Sequence, residues 1–147
     1  MKILIINGPN LNMLGIREPE IYGSMTLDQL NERVEREAAS LGIETEFYQS
    51  NHEGSIIDKI QESYGKIDGL IINPGAFTHY SYAIRDALAS VDYPAVEVHL
   101  SDITMREYFR RTSVIEDVAA RQIYGKGVDS YIEAVHYFYG KNKHEGR

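Results

Sequence analysis

A doubly wound parallel α/β sheet of the flavodoxin-like class, three layers deep in a single domain over residues 1–140, is predicted by three observations. Short apolar runs alternate with helix-patterned segments along all 147 residues. Ile3–Ile6 and Leu70–Ile72 are apolar without alternation, as parallel strands covered on both faces are. The links between segments are mostly short, which favours right-handed crossovers within one sheet.

The elements follow in order. Ile3–Ile6 is the first strand. Leu27, Leu30, Val34, Ala38 and Leu41 mark one face of a helix, with a Thr26/Gln29 capping box at its start and Gly42 just past its end. Glu44–Tyr48 is a second strand, and Ile56, Ile57, Ile60 and Tyr64 mark a second helix closed by Gly65. After the third strand, Leu70–Ile72, a helix through Ala83, Ile84, Ala87 and Leu88 stops before Pro94. Ala95–Val98 is the fourth strand. Thr104 and Glu107 form a second capping box, predicting a short helix through Arg110. A fifth strand near Ile123 and a last helix through Tyr131, Ile132, Val135 and Phe138 complete the chain. The polar, glycine-containing segment 141–147 is expected to fray.

Composition narrows the function. Hydrophobic residues make up 43% and charged residues 25%, near the globular norm, which excludes wholesale disorder. A net charge of −7 argues against nucleic-acid binding, though a few local arginines can still hold an anionic metabolite. With no cysteine, disulfides, thiolate nucleophiles, zinc–thiolate sites and iron–sulfur clusters are excluded. The apolar run at the N-terminus is too short for a signal peptide, and no segment approaches the roughly 20 apolar residues of a membrane span. The expectation is a soluble cytoplasmic protein without membrane or nucleic-acid partners.

In sheets of this class ligands bind outside the carboxyl ends of the strands. The loop after strand one, Asn7 to Met25, is long and carries Arg17 and Tyr22 but no standard phosphate-binding pattern. A guanidinium near a tyrosine favours its phenolate; a surface arginine and a packed tyrosine are the plainer reading. After strand three comes Asn73-Pro74-Gly75-Ala76-Phe77-Thr78-His79, followed by Arg85 and Asp86. Its Asn and His side chains suit directional bonds to hydroxyl groups, or the segment is merely a turn and a helix start. At strand four, Glu97 and His99 are two apart and share a face, so the carboxylate can orient the imidazole as a general acid. A strand-end ion pair competes with that reading, and a metal site lacks further ligands at diagnostic spacing. Arg106 and Arg110 share a face of the short predicted helix. None of Lys2, Lys59, Lys66, Lys126, Lys141 and Lys143 has the apolar setting of a Schiff-base lysine, and no serine sits in a nucleophile elbow.

Taken together, these loops resemble the type II 3-dehydroquinate dehydratases. N-G-P-N-L-N-x-L-G-x-R-E-P-x-I-Y-G (Asn7–Gly23), N-P-G-A-F-T-H (Asn73–His79) with R-D-A-L (Arg85–Leu88), and E-V-H-L-S (Glu97–Ser101) leading to R-E-x-F-R (Arg106–Arg110) are similar to that family's three signatures, in order and spacing. The resemblance implies trans-dehydration of 3-dehydroquinate to 3-dehydroshikimate without metal or organic cofactor, in a homododecamer built as a tetramer of trimers. It implies Tyr22 as base, Arg17 as the group that makes it a phenolate, Asn10 holding an enolate through water, and His99 as acid oriented by Glu97. Substrate binding is implied for Asn73, His79, the Leu100 and Ser101 amides, Arg110 and Arg106, with Asp86 reaching a neighbouring subunit's site.

The chain departs from the family pattern in two places. Asp102 is expected to put an anion near the carboxylate site. Tyr124, Lys126 and Asp129-Ser130-Tyr131 stand where small residues and glycine are usual. The alternative is a flavodoxin-like module binding FMN or a phosphate.

Overall fold

The computed structural model describes residues 1–16, 20 and 24–145. Five strands form one parallel sheet in the order β2-β1-β3-β4-β5. They are β1 (Lys2–Asn7), β2 (Glu44–Gln49), β3 (Gly69–Asn73), β4 (Ala95–Val98) and β5 (Arg121–Ile123). Among the described residues four helices cover it: α1 (Leu27–Ser40), α2 (Glu53–Glu62), α3 (Tyr82–Ser90) and α4 (Val128–Glu145).

The unbroken apolar run of β1 is explained by its two faces. Ile3 and Ile5 join Ile71, Val96 and Val98 beneath α1 and α4, against Val34, Val135 and Phe138. Leu4 and Ile6 join Leu70 and Ile72 beneath α2 and α3, against Ile56, Ile60, Ile84 and Leu88. Each of the four β1 residues is wholly buried, worth about 1.5–3 kcal/mol apiece in transfer terms. Edge strand β2 is half-exposed and more polar.

Helix α1 begins with the expected capping box: Thr26 Oγ1 accepts from Gln29 N–H at 3.2 Å, and Gln29 Oε1 accepts from Thr26 N–H at 2.9 Å. The helix expected from Thr104 is instead a pair of 3₁₀ turns, Ile103–Met105 and Tyr108–Arg110. Asp102 caps the first, its Oδ1 accepting from Thr104 N–H at 2.9 Å and from the Thr104 hydroxyl at 2.5 Å. Thr104's hydroxyl is thereby spent on its own cap. The polar end expected to fray from Lys141 continues α4 through Glu145, with Lys143 and His144 in its last turn, where cations complement the helix dipole. Residues 146 and 147 lie outside the described segment. Among the described residues no helix is long and apolar enough to cross a membrane.

Candidate active site

The carboxyl ends of β1, β3 and β4 meet at a cleft, and close backbone approaches interlock the loops after β1 and β3. Gly8 N–H donates to Asn73 O at 2.8 Å, and any Cβ at position 8 would lie 2.5 Å from the Pro74 carbonyl oxygen. Only glycine allows the loops after β1 and β3 to interlock there. Beyond it Asn10 adopts the left-handed region at φ 71°, which asparagine tolerates better than most residues. Its N–H donates to Asn51 Oδ1 at 3.0 Å, and Gln49 Nε2 donates to both Gly8 O (3.2 Å) and Asn51 Oδ1 (3.1 Å). The end of β2 thus braces the loop.

Glu97 is fully buried at the end of β4, an expensive position for a carboxylate without partners. It has four donors. Oε2 accepts from Thr78 Oγ1 at 2.5 Å and faces His99 Nε2 at 2.6 Å. Ser113 Oγ lies 2.9 Å from both carboxylate oxygens, and Gln122 Nε2 donates to Oε1 at 3.1 Å. Burial alone would raise its pKa, but the His99, Thr78 and Ser113 bonds outweigh it and hold the carboxyl below the usual range. An ionised Glu97 accepts Nε2–H of His99, which fixes the ring and leaves Nδ1 for the cleft that His99 lines.

His79 stands opposite. Its Nδ1 donates to Thr112 O at 2.8 Å, so the neutral ring keeps Nε2 as an acceptor. Burial, first, and the charges of His99 and Arg110 push its pKa down, against the Thr112 carbonyl and Glu97. Asn73, Leu100, Ser101, Arg106 and Arg110 complete the lining with Asn10. Arg106 Nη1 donates to Ser101 Oγ at 3.4 Å, while Arg110 Nε lies 2.6 Å from Glu107 Oε2 and its guanidinium sits 4.8 Å from the Phe109 ring centre. Two guanidiniums therefore line the cleft, Arg110's paired with Glu107 at its rear, and the forked donors of such groups suit a small carboxylic acid.

Asp102 does not line this cleft; its carboxylate is turned into the Ile103–Met105 turn, so the expected anion beside the carboxylate site is absent from the lining. Asp86 sits on the exposed face of α3, away from the cleft of its own chain. Arg17 and Tyr22 lie outside the described residues. Thr78, Ser113, Gln122, Gln49 and Asn51 were not singled out by sequence reasoning. The strand-end rule applied to β2 would have drawn attention to Gln49 and Asn51, whereas Ser113 and Gln122 carry no local signal. Among the described residues no group of three His, Asp or Glu could hold a metal ion. A larger hollow of about 440 Å³ opens at the opposite end of the sheet beside Met1, Asp68 and Phe138, but it faces the amino ends of the strands and has no imidazole or guanidinium.

Comparison with known proteins agrees with this geometry. The family model described as Dehydroquinase class II matches residues 1–139. The chain is 56% identical over 136 residues to the 3-dehydroquinate dehydratase of Caldicellulosiruptor bescii, covering 92% of this chain and 94% of that one. It is 58% identical over 132 residues to the 3-dehydroquinate dehydratase of Geotalea daltonii, covering 90% and 92%. The crystal structure of type II dehydroquinase from Butyrivibrio crossotus superposes with a TM-score of 0.92 at 57% identity, covering 93% of this chain and 96% of that one. A sheet ordered 2-1-3-4-5, a Glu–His pair closing β4, and matches of this extent place the chain in the class II dehydroquinase family.

Proposed function

We propose that this chain dehydrates 3-dehydroquinate to 3-dehydroshikimate by a stepwise trans elimination, without metal or organic cofactor, in the cytoplasm, as a dodecamer of four trimers. The observation that carries the chemistry is the Glu97–His99 pair: a buried carboxylate held by three further donors, presenting an imidazole to a cleft with two arginines. Such a pair places a directed proton source where a leaving hydroxyl needs one.

The Tyr22 phenolate, favoured by Arg17, removes the proton from the carbon beside the ketone. The electron pair moves onto the ketone oxygen, giving an enolate held through water by Asn10. As the enolate collapses to the conjugated enone, the carbon–oxygen bond of the leaving hydroxyl breaks, and His99 protonates the departing oxygen to give water. Glu97 orients His99 throughout. The Leu100 and Ser101 amides take the substrate carboxylate, and Asn73, His79, Arg110 and Arg106 hold the remaining oxygens. His79 is suited to accept from a hydroxyl because its Nδ1–H is engaged by Thr112. Asp86 completes the site of the adjacent subunit.

The ultraviolet signal of the enone product tests the activity directly. Tyr22→Phe is expected to abolish turnover with folding and ligand binding intact. His99→Ala is expected to block elimination while solvent deuterium still enters recovered 3-dehydroquinate beside the ketone. More than a few per cent of the wild-type rate in Tyr22→Phe removes Tyr22 as the base; no deuterium in His99→Ala overturns the stepwise enolate.

A further inference from the structure

Tyr131, in the first turn of α4, has no exposed surface and no part in the chemistry above. Its hydroxyl donates to Asn7 Oδ1 at 2.6 Å and accepts from Asn73 Nδ2 at 2.9 Å. Asn7 and Asn73 are register partners at the last positions of β1 and β3. They stand where the strand order reverses, the point at which doubly wound sheets open a crevice. One phenol from the far end of the chain therefore bridges the two strand ends beneath the cleft, of which Asn73 lines it.

A phenol has one proton to give. Burial pushes the Tyr131 pKa far above its ordinary value, against the opposing Asn73 bond, so the hydroxyl remains a donor as well as an acceptor. Its proton goes to the Asn7 oxygen, so its lone pair must face a donor, and Asn73 has to present nitrogen. From the other side, Gly75 N–H donates to Asn73 Oδ1 at 3.1 Å. Two independent contacts set the same sense of the amide. Reversing it would set oxygen against the phenol lone pair and NH₂ against the Gly75 N–H at once. Asn73 is left with one N–H and one oxygen lone pair for the cleft.

We propose that Tyr131 is a positioning residue: by bridging Asn7 and Asn73 it locks the Asn73 amide in one orientation and so fixes which hydrogen-bonding groups the cleft offers to a substrate hydroxyl. The inference rests on Asn73 being a substrate-binding residue.

Tyr131→Phe keeps the ring and removes only the bridge. KM for 3-dehydroquinate is expected to rise about tenfold with kcat within about twofold, the signature of lost binding common to ground and transition states. Asn73→Ala should raise KM at least as much, and adding Tyr131→Phe to it should change KM by less than about twofold, because the relay then has nothing to orient. An unchanged KM in Tyr131→Phe overturns the proposal. So does an equal KM rise in the Asn73→Ala background, which is what a purely structural role produces. An unchanged KM in Asn73→Ala overturns the binding assignment of Asn73 itself, a separate failure. Asn7→Ala gives the second route if Tyr131→Phe does not fold. It frees the phenol proton to turn toward Asn73 and should raise KM in the same way; a folded Asn7→Ala with wild-type KM overturns the bridge.

Discussion

Burial pushes the His79 pKa below its ordinary 6.5; His99 and Arg110 add to the lowering, while the Thr112 carbonyl and Glu97 oppose it. The unfolded chain therefore takes up this proton at a higher pH than the folded one. Stability from the neutral ring is fully present above the unfolded value and is lost as pH falls through the folded value. Glu97 has the same sign in a lower window. Its folded pKa lies below the ordinary 4.5, so its contribution is complete above that value and disappears in stronger acid. The urea midpoint should accordingly decline in two stages as pH is lowered, and His79→Gln should remove most of the first. Proton resonances of the His79 ring should titrate below 6.5; a value above it would contradict the destabilisation of the charged ring by burial. At this scale the sequence was legible where geometry is local. Glu97 and His99 share a face because a strand alternates every two residues. Ser113 and Gln122 could not be assigned to Glu97, because only the packing of distant segments brings them there.

Asp102 shows how one sequence pattern can be realised at one element and pre-empted at another. Thr26 and Gln29 cap α1 reciprocally, with nothing better placed to compete. Thr104 and Glu107 have the same spacing, but Asp102, two residues earlier, accepts both the N–H and the hydroxyl of Thr104. A carboxylate is the stronger acceptor, so the chain closes a 3₁₀ turn and the predicted helix does not form. Arg106 follows that turn directly and lines the cleft. Asp102→Ala should therefore cost about 1 kcal/mol of stability, as helix caps do, and lower kcat/KM several-fold through Arg106. Asp102→Asn, which keeps the accepting oxygen, should lie close to wild type in both. Urea denaturation and steady-state kinetics on the two variants separate a lost cap from a lost charge. Strands were easier to read than this segment, since unbroken apolar runs between helices have few other uses in a chain of this size.

Across the whole molecule, the outer surface near the cleft is less polar than a net charge of −7 would lead one to expect. Met105, Tyr108 and Phe109 are more than half exposed beside the arginines, and Tyr82 is 67% exposed one turn before Asp86 on the same face of α3. An exposed ring beside a carboxylate that does not line its own chain's cleft suits a surface covered by another copy. Sedimentation is expected to give a mass near twelve times 16.7 kDa, with the trimer as the smallest fully active unit. Asp86→Ala should weaken substrate binding and leave the particle whole; a fully active monomer would overturn both the assembly and the shared site.

The bond between Tyr131 and Asn7 joins residues 124 positions apart. The ribosome releases β1 first, although it becomes the second strand of the sheet, with β2 added on one side and β3, β4 and β5 on the other. Most of the sheet can thus be laid down while α4 is still unmade. The bridge between Asn7 and the cleft residue Asn73, however, waits for the last helix to supply the phenol between them. The orientation proposed for the Asn73 amide is therefore set only when the last helix arrives, and a chain cut short before α4 also exposes the Ile3, Ile5 and Ile71 face of its sheet.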